Sequence, residues 1–153
     1  MRIVLISDSH GNKVGINKIF DSIEFDHLFF LGDGLGDLGS YIYLDNVHAV
    51  SGNCDFFSSI PNERILDIAG KKILITHGNR YGVKSGLNTL VDYAISENID
   101  IAIFGHTHKQ LSEEIRGVLL INPGSFKKNS QGESRGIILN IDKDNISIES
   151  LVI

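Results

Sequence analysis

The 153-residue chain has no tryptophan, one methionine, two prolines and one cysteine. The lone thiol, Cys54, excludes an intrachain disulfide and fits a reducing compartment. Two prolines against 16 glycines give no proline-rich linker and imply many tight turns. No apolar run approaches the ~20 residues that span a bilayer. The longest, such as Ile3–Ile6 and Leu28–Leu31, are strand-sized. Met1-Arg2 leads straight into the first of them, too short a run for the h-region of a signal peptide. The expectation is a cytoplasmic chain with no membrane partner. Positive charge is also scarce: 14 Lys and Arg against 19 Asp and Glu give a net charge of −5. A broad electrostatic grip on long nucleic acid needs a basic face, so that partner class is not expected. Hydrophobic content of 42% with 22% charged residues is ordinary for one globular domain, here expected over residues 1–153. A chain this long buries roughly 70% of its extended-chain surface, enough for a core.

Short apolar strands alternate with helical stretches in the first two thirds of the chain. Arg2–Ser7 is a near-continuous apolar run, the pattern of a strand buried on both faces. Ile16, Ile19, Phe20 and Ile23 share one helical face, predicting a helix over Val14–Ile23. Strands are predicted at His27–Leu31, Val47–Ser51, Arg64–Ala69 and Lys71–Thr76, the last two joined by a turn at Gly70. A second helix is expected over Ser85–Asn98 with Ser85 as N-cap, followed by a buried strand at Ile99–Phe104. From Gln110 onward the pattern is β: Leu111–Arg116, Val118–Asn122, Arg135–Ile141 and Ile146–Val152. Asn122–Ser134 reads as an exposed polar loop. The βαβ-like start and β-rich end predict an α/β (α+β) fold, a two-sheet β-sandwich flanked by helices.

Five of these apolar strands end in Asp, His or Asn beside glycine. The segments are Ser7-Asp8-Ser9-His10-Gly11, Gly32-Asp33-Gly34, Gly52-Asn53-Cys54-Asp55, Thr76-His77-Gly78 and Gly105-His106-Thr107-His108. Ligands of open α/β sheets bind outside the carboxyl ends of strands. Four of the six histidines lie there; His27 and His48 do not and read as structural. Asp8 with His10, and His106 with His108, are two apart and project to one side of an extended backbone. Carboxylate, imidazole and an Asn carbonyl form a donor set for borderline divalent metals such as Mn, Fe, Zn, Co or Ni. Asp8, His10, Asp33, Asn53, His77, His106 and His108 exceed what one tetrahedral ion needs. Two ions bridged by one carboxylate would use them all. Such a pair, ~3.5–4 Å apart, clamps a phosphoryl group and lowers the pKa of a bridging water. The expected chemistry is hydrolysis without a side-chain nucleophile. Taken singly, D-x-H or H-x-H is a weak signal and Gly-Asp is a common turn; the joint occurrence of five such strand ends carries the reading.

That ordered set, D-x-H, G-D, G-N-x-D, H-G and G-H-T-H, resembles the calcineurin-like metallophosphoesterase superfamily. The small size and Gly52-Asn53-Cys54-Asp55 are similar to its single-domain bacterial and archaeal phosphodiesterase branch, as is Asn122-Pro123-Gly124-Ser125. The resemblance spans Asp8 to Ser125. It implies a two-sheet sandwich flanked by helices. It also implies one metal, manganese first among the candidates, on Asp8, His10 and His108. A second falls on Asn53, His77 and His106, with Asp33 bridging the two. A bridging hydroxide would then attack phosphorus in a small phosphoester, and Asn53 would steady the equatorial oxygens. Where many larger members have a histidine, this chain has Cys54, a weak proton donor that reads as a small buried hydrophobe. Where many have a second histidine after the fourth motif, it has Asn79, with Arg80 beside it as a candidate phosphate contact.

Rival readings are weaker. Gly34-Leu35-Gly36-Asp37-Leu38-Gly39 matches a dinucleotide fingerprint, but too little chain follows for the helix it must open. Gly132-Glu133-Ser134-Arg135-Gly136 lacks the strand before and helix after of a nucleophile elbow. Phosphomonoester hydrolysis at the same centre, or a metal-containing scaffold that binds a partner protein, remain alternatives. Phe56, Phe57 and Tyr81 are loop aromatics that either stack on a base or cover the core edge. An edge strand leaves room for a second copy to pair as a homo-oligomer.

Overall fold

Ten strands form two mixed five-stranded sheets in the computed structural model, which describes residues Met1–Ile153. In chain order they are β1 (Arg2–Ile6), β2 (His27–Phe30), β3 (Val47–Ala49), β4 (Glu63–Ile68), β5 (Lys71–Thr76), β6 (Ile101–Phe104), β7 (Gln110–Ile115), β8 (Val118–Pro123), β9 (Arg135–Asp142) and β10 (Asn145–Val152). The helices are α1 (Lys13–Ser22), α2 (Leu35–Leu38) and α3 (Asn88–Ser96). One sheet runs β10-β9-β1-β2-β3 and the other β4-β5-β6-β8-β7. The parallel trio β1-β2-β3 in one sheet faces the parallel trio β5-β6-β8 in the other.

Alternation along the central strands explains the layers. Ile3, Leu5, Phe29 and Leu31 turn inward and meet Ile73, Ile75, Ile101, Ile103 and Ile121 between the sheets. Val4, Ile6, Leu28 and Phe30 turn outward onto Ile16 and Ile19 of α1 and Leu35 and Leu38 of α2. Leu74, Ala102 and Phe104 turn outward onto Leu90, Val91 and Ala94 of α3. The central strands therefore read as unbroken apolar runs, because both their faces are covered. Each fully buried Leu, Ile or Phe contributes roughly 1.5–3 kcal/mol. No helix is long and apolar enough to cross a membrane.

Three sequence expectations shift. The helix expected from Ser85 starts at Asn88, with Leu87 as an N-cap that offers no side-chain bond. Ser85 instead closes a turn onto the Gly82 carbonyl, and Gly86 at φ 146 breaks the helical path. A short helix does open inside the Gly34–Gly39 segment, contrary to the expectation of none, but it stops after four residues. The Asn122–Ser134 stretch is not a free loop. Asn122 belongs to β8, and Asn122, Gly124, Phe126 and Ser134 are buried. Phe126 plugs the layer between the first sheet and α1, which fastens the segment to the core.

Candidate metal centre

The carboxyl ends of β1, β2, β3, β5 and β6 open on one side of the sandwich, and the seven candidate ligands meet there. Asp8 Oδ1 lies 3.1 Å from His108 Nε2, 3.8 Å from His10 Nε2 and 3.9 Å from His77 Nε2. His77 Nε2 in turn lies 3.3 Å from Asp33 Oδ2, 3.0 Å from Asn53 Oδ1 and 3.1 Å from His106 Nδ1. Two groups result, Asp8-His10-His108 and Asp33-His77-His106, each with donor atoms within 4.8 Å of one another. The short approach of Asp8 to His77 makes them contiguous. Asp33 stands within the second group.

The surrounding bonds aim each donor into this space. Asp8 Oδ2 is taken up by Ser7 Oγ at 2.5 Å and the His106 amide at 3.0 Å, which leaves Oδ1 facing the histidines. Asp33 Oδ1 accepts from the Cys54 amide at 2.8 Å, which leaves Oδ2. His77 Nδ1–H donates to the Leu31 carbonyl at 2.6 Å, which turns Nε2 toward the cluster. Such a bond at the far side of a histidine or carboxylate is how proteins orient metal ligands. A mixed carboxylate, imidazole and amide set with one free lone pair each fits borderline divalent ions.

The backbone is held in an unfavourable shape to achieve this. Asp8, His10, Asp33, His106 and His108 all have φ between 41° and 68°. A non-glycine residue there costs roughly 1–2 kcal/mol, and such outliers gather at functional sites. Close approach is permitted by glycine. A β-carbon at Gly52 would collide with Asp33 Oδ1, and one at Gly105 with Ser7 Oγ.

Electrostatics bind the second group together. Burial alone would raise the Asp33 carboxyl, but bonds from His77 and the Cys54 amide outweigh it and hold the group well below the usual carboxylate range. Burial alone would lower His77, yet its bond to Asp33 and the nearby Asp8 charge push it up. His106 is pushed down by desolvation, then by the charges of His77 and Lys84. Asp8 and Asp33 are 0% and 3% exposed, so two buried carboxyl groups share one cavity beside His77. A divalent cation bound there would place positive charge between them.

Several residues stand elsewhere than the sequence suggests. Cys54 is exposed rather than buried, because its turn is anchored by its backbone amide and not by its side chain. Its thiol is pushed up, by desolvation first and then by the Asp33 carboxylate, which keeps it protonated. Arg80 and Asn79 are exposed and make no side-chain bond. Phe56 and Phe57 are exposed and do not cover the core edge, whereas Tyr81 donates to Glu63. His27 and His48 pair with each other at 3.1 Å, away from the centre.

Sequence reasoning missed the supports. The Asp55 carboxylate accepts four backbone N–H groups, from Asp33, Gly34, Leu35 and Gly52, at 2.7–3.0 Å. It therefore occupies the amide nest where a dinucleotide phosphate would sit, and ties the Asp33 turn to the Asn53 turn. Asn122 Nδ2 holds the Gly105 carbonyl and Thr107 Oγ1, at 2.9 and 3.0 Å. Both residues lie in motifs quoted above, but residue type alone does not show which backbone groups they meet.

Comparison with known proteins gives the family. The profile of the calcineurin-like phosphoesterase superfamily domain matches residues 1–144. The probable metallophosphoesterase YsnB of Bacillus subtilis is 35% identical over 128 residues, covering 83% of this chain and 76% of that protein. The phosphodiesterase MJ0936 of Methanocaldococcus jannaschii is 31% identical over 145 residues, covering 81% of this chain and 83% of that protein. A crystal structure from Streptococcus pneumoniae TIGR4, of a protein described as a predicted phosphoesterase, superposes with a TM-score of 0.86 at 25% identity. That superposition covers 98% of this chain and 88% of the other. By profile, relatives and fold alike, the chain belongs to the calcineurin-like phosphoesterase superfamily of metal-dependent phosphoesterases.

Proposed function

We propose that the protein is a phosphodiesterase that hydrolyses a small phosphoester at a two-metal centre, with manganese the expected ion. The observation that carries this is the contiguity of the two donor groups through Asp8 Oδ1 and His77 Nε2, 3.9 Å apart. Asp8, His10 and His108 would hold one ion, and His77, His106 and Asn53 the other, with Asp33 between them. Divalent ions held there supply Lewis acidity toward the phosphoryl oxygens and lower the pKa of bound water.

The chain's own groups support hydrolysis by water. The hydroxyls at the site are committed as donors, Ser7 to Asp8 and Ser9 to Asp37. The Cys54 thiol stays protonated. None of them is poised as a nucleophile. Asn53 presents its carboxamide next to His77, where an amide N–H can hold an equatorial phosphoryl oxygen. No histidine stands at the Cys54 position to protonate a basic leaving group, so esters of acidic alcohols and phenols are the preferred substrates.

Chelator-stripped protein should gain turnover of bis(p-nitrophenyl) phosphate on addition of Mn²⁺. Asp33→Ala, Asn53→Ala and His77→Ala should each lose roughly 100-fold or more. His48→Ala should stay within about twofold, as expected of a change away from the centre. Two equivalents of metal per chain in protein isolated without chelator would support the reading. Turnover indifferent to metal, or full activity in Asp33→Ala, would overturn it. A higher rate on p-nitrophenyl phosphate than on the diester would favour a monoesterase.

A further inference from the structure

The segment after β8 carries two cations that the metal centre does not use. Lys127 and Lys128 are exposed and stand in none of the ion pairs of the molecule, each of which has its nitrogen and oxygen within 4.0 Å. They are nonetheless held in place. The Lys127 amide donates to the Asp8 carbonyl at 3.1 Å, Ser125 Oγ donates to the same carbonyl at 2.9 Å, and the Phe126 amide donates to Ser7 at 2.7 Å. The Phe126 ring is fully buried. Asn129 closes the other end, its Oδ1 accepting from the Gln131 and Glu133 amides at 2.9 Å. The backbone that carries these two adjacent cations is thus tied to the backbone of a candidate ligand.

They rim a cleft of about 380 Å³ that His108, Gln110, Ser125, Asn129 and Arg135 also line. That volume falls in the range of small-ligand sites. No apolar side chain lines it, which disfavours a nucleobase there. Its one acid, Glu133, is paired with Arg135 at 3.3 Å, so the two lysines leave it net positive in a chain of net charge −5. On their other side the same lysines border a second cleft of about 350 Å³, beside His10, with Lys18 and no acidic side chain. Unpaired ammonium groups, hydroxyl and amide donors and, in the first cleft, no apolar wall match the chemistry of a phosphate.

We propose that the Lys127–Lys128 cleft is a subsite for a second phosphate of the substrate, so that the preferred substrates are small phosphodiesters that also carry a phosphomonoester. This rests on the reading that the metal centre cleaves a phosphodiester. The lysines touch the part of the substrate that does not react, and so act on KM more than on kcat.

The test uses p-nitrophenyl thymidine 5′-phosphate with and without a 3′-phosphate, on the Mn²⁺-loaded full chain. The 3′-phosphate should improve kcat/KM roughly tenfold, nearly all of it in KM, as expected of two partly exposed charge contacts. That ratio should collapse to about one in Lys127→Ala/Lys128→Ala and return in Lys127→Arg/Lys128→Arg, by the same charge argument. A ratio near one in the wild type, or a double variant that loses equally on both substrates, would overturn the proposal. A second measurement does not depend on turnover. In metal-stripped protein, thymidine 3′,5′-bisphosphate should shift the amide NMR signals of Ser125 and Lys127–Asn129, and the double alanine variant should lose those shifts. If no diester is cleaved but the shifts appear, the phosphodiesterase reading fails and the phosphate subsite stands. If the shifts are absent, the subsite fails whatever the turnover. Affinity that keeps rising with oligothymidylate length, with a steep salt dependence, would replace the small substrate with a polymer.

Discussion

At the scale of single residues, chemistry is recorded less in which side chains are present than in what their backbones tolerate. Five candidate ligands occupy positive φ, where their residue types gain nothing from the geometry itself. His27 and His48 show the contrast: both are histidines on strands, yet they form a structural pair at 3.1 Å. Burial, followed by the charges of His27 and Arg64, lowers the His48 pKa from 6.5 to about 4. A depressed imidazole makes the unfolded chain the stronger proton acceptor. Its contribution to stability is complete above about pH 6.5 and is lost as pH falls toward 4. Because the ring is only partly buried, the expected effect is discounted to about 1 kcal/mol. Urea unfolding at pH 7 and pH 5 should show a stability loss that is smaller by about that amount in His48→Gln than in the wild type. An unchanged difference would mean that His48 titrates normally in the fold.

At the scale of elements, the unit that makes the site is the turn at the end of each parallel strand. The strands were legible because both faces of the central ones are apolar, and the five motifs were legible because each interrupts such a run with a polar residue and a glycine. Helix α1 was legible too, with Asn12 Oδ1 capping the Gly15 amide at 3.0 Å. What the sequence could not show is how turns from different strands brace each other. Asp55 is the clearest case: its motif is visible, but its four amide partners come from two turns about 20 residues apart in sequence. The start of α3 was misplaced for a similar reason, since Ser85 is a good cap residue that the φ of Gly86 puts out of register. Replacing Asp55 by Asn keeps the volume but turns a carboxamide NH2, itself a donor, toward amide donors. Charge-assisted bonds of this kind contribute roughly 1.5–3 kcal/mol each, so a loss of about 3 kcal/mol in unfolding free energy is expected. As a support behind Asp33 and Asn53 it should also weaken Mn²⁺ binding roughly 10- to 100-fold, measured by competition with a fluorescent chelator. A variant that loses stability but binds metal normally would show that Asp55 supports the fold alone.

At the scale of the whole molecule, the centre joins the two sheets. Asp8 and Asp33 come from the first sheet, and His77, His106 and His108 follow β5 and β6 of the second. The 14-residue core between the sheets is apolar and carries no direction of its own along the strands. At the open end, packing gives way to two nearly unexposed carboxylates whose close partners are the imidazoles of His10, His77 and His108. A cation bound there acts as a ligand of the native state, because the unfolded chain scatters the donors between positions 8 and 108. Each ion present at 100 times its dissociation constant stabilises the fold by about 2.7 kcal/mol. For a domain of this size that moves Tm by roughly 2–4 °C per kcal/mol. Saturating Mn²⁺ should therefore raise the Tm of chelator-stripped protein by about 5–11 °C from one ion and more from two, in calorimetry at pH 7. The increment should shrink in His10→Ala, which removes one donor of the first group, and nearly vanish in a combined Asp8→Ala/Asp33→Ala variant. That double variant also removes two buried negative charges, so its metal-free form should unfold no earlier than metal-free wild type if the carboxylates are held chiefly for the cations. Earlier unfolding would show that the Asp8 and Asp33 hydrogen bonds stabilise the apo fold in their own right, and that the metals add to a site already favourable without them.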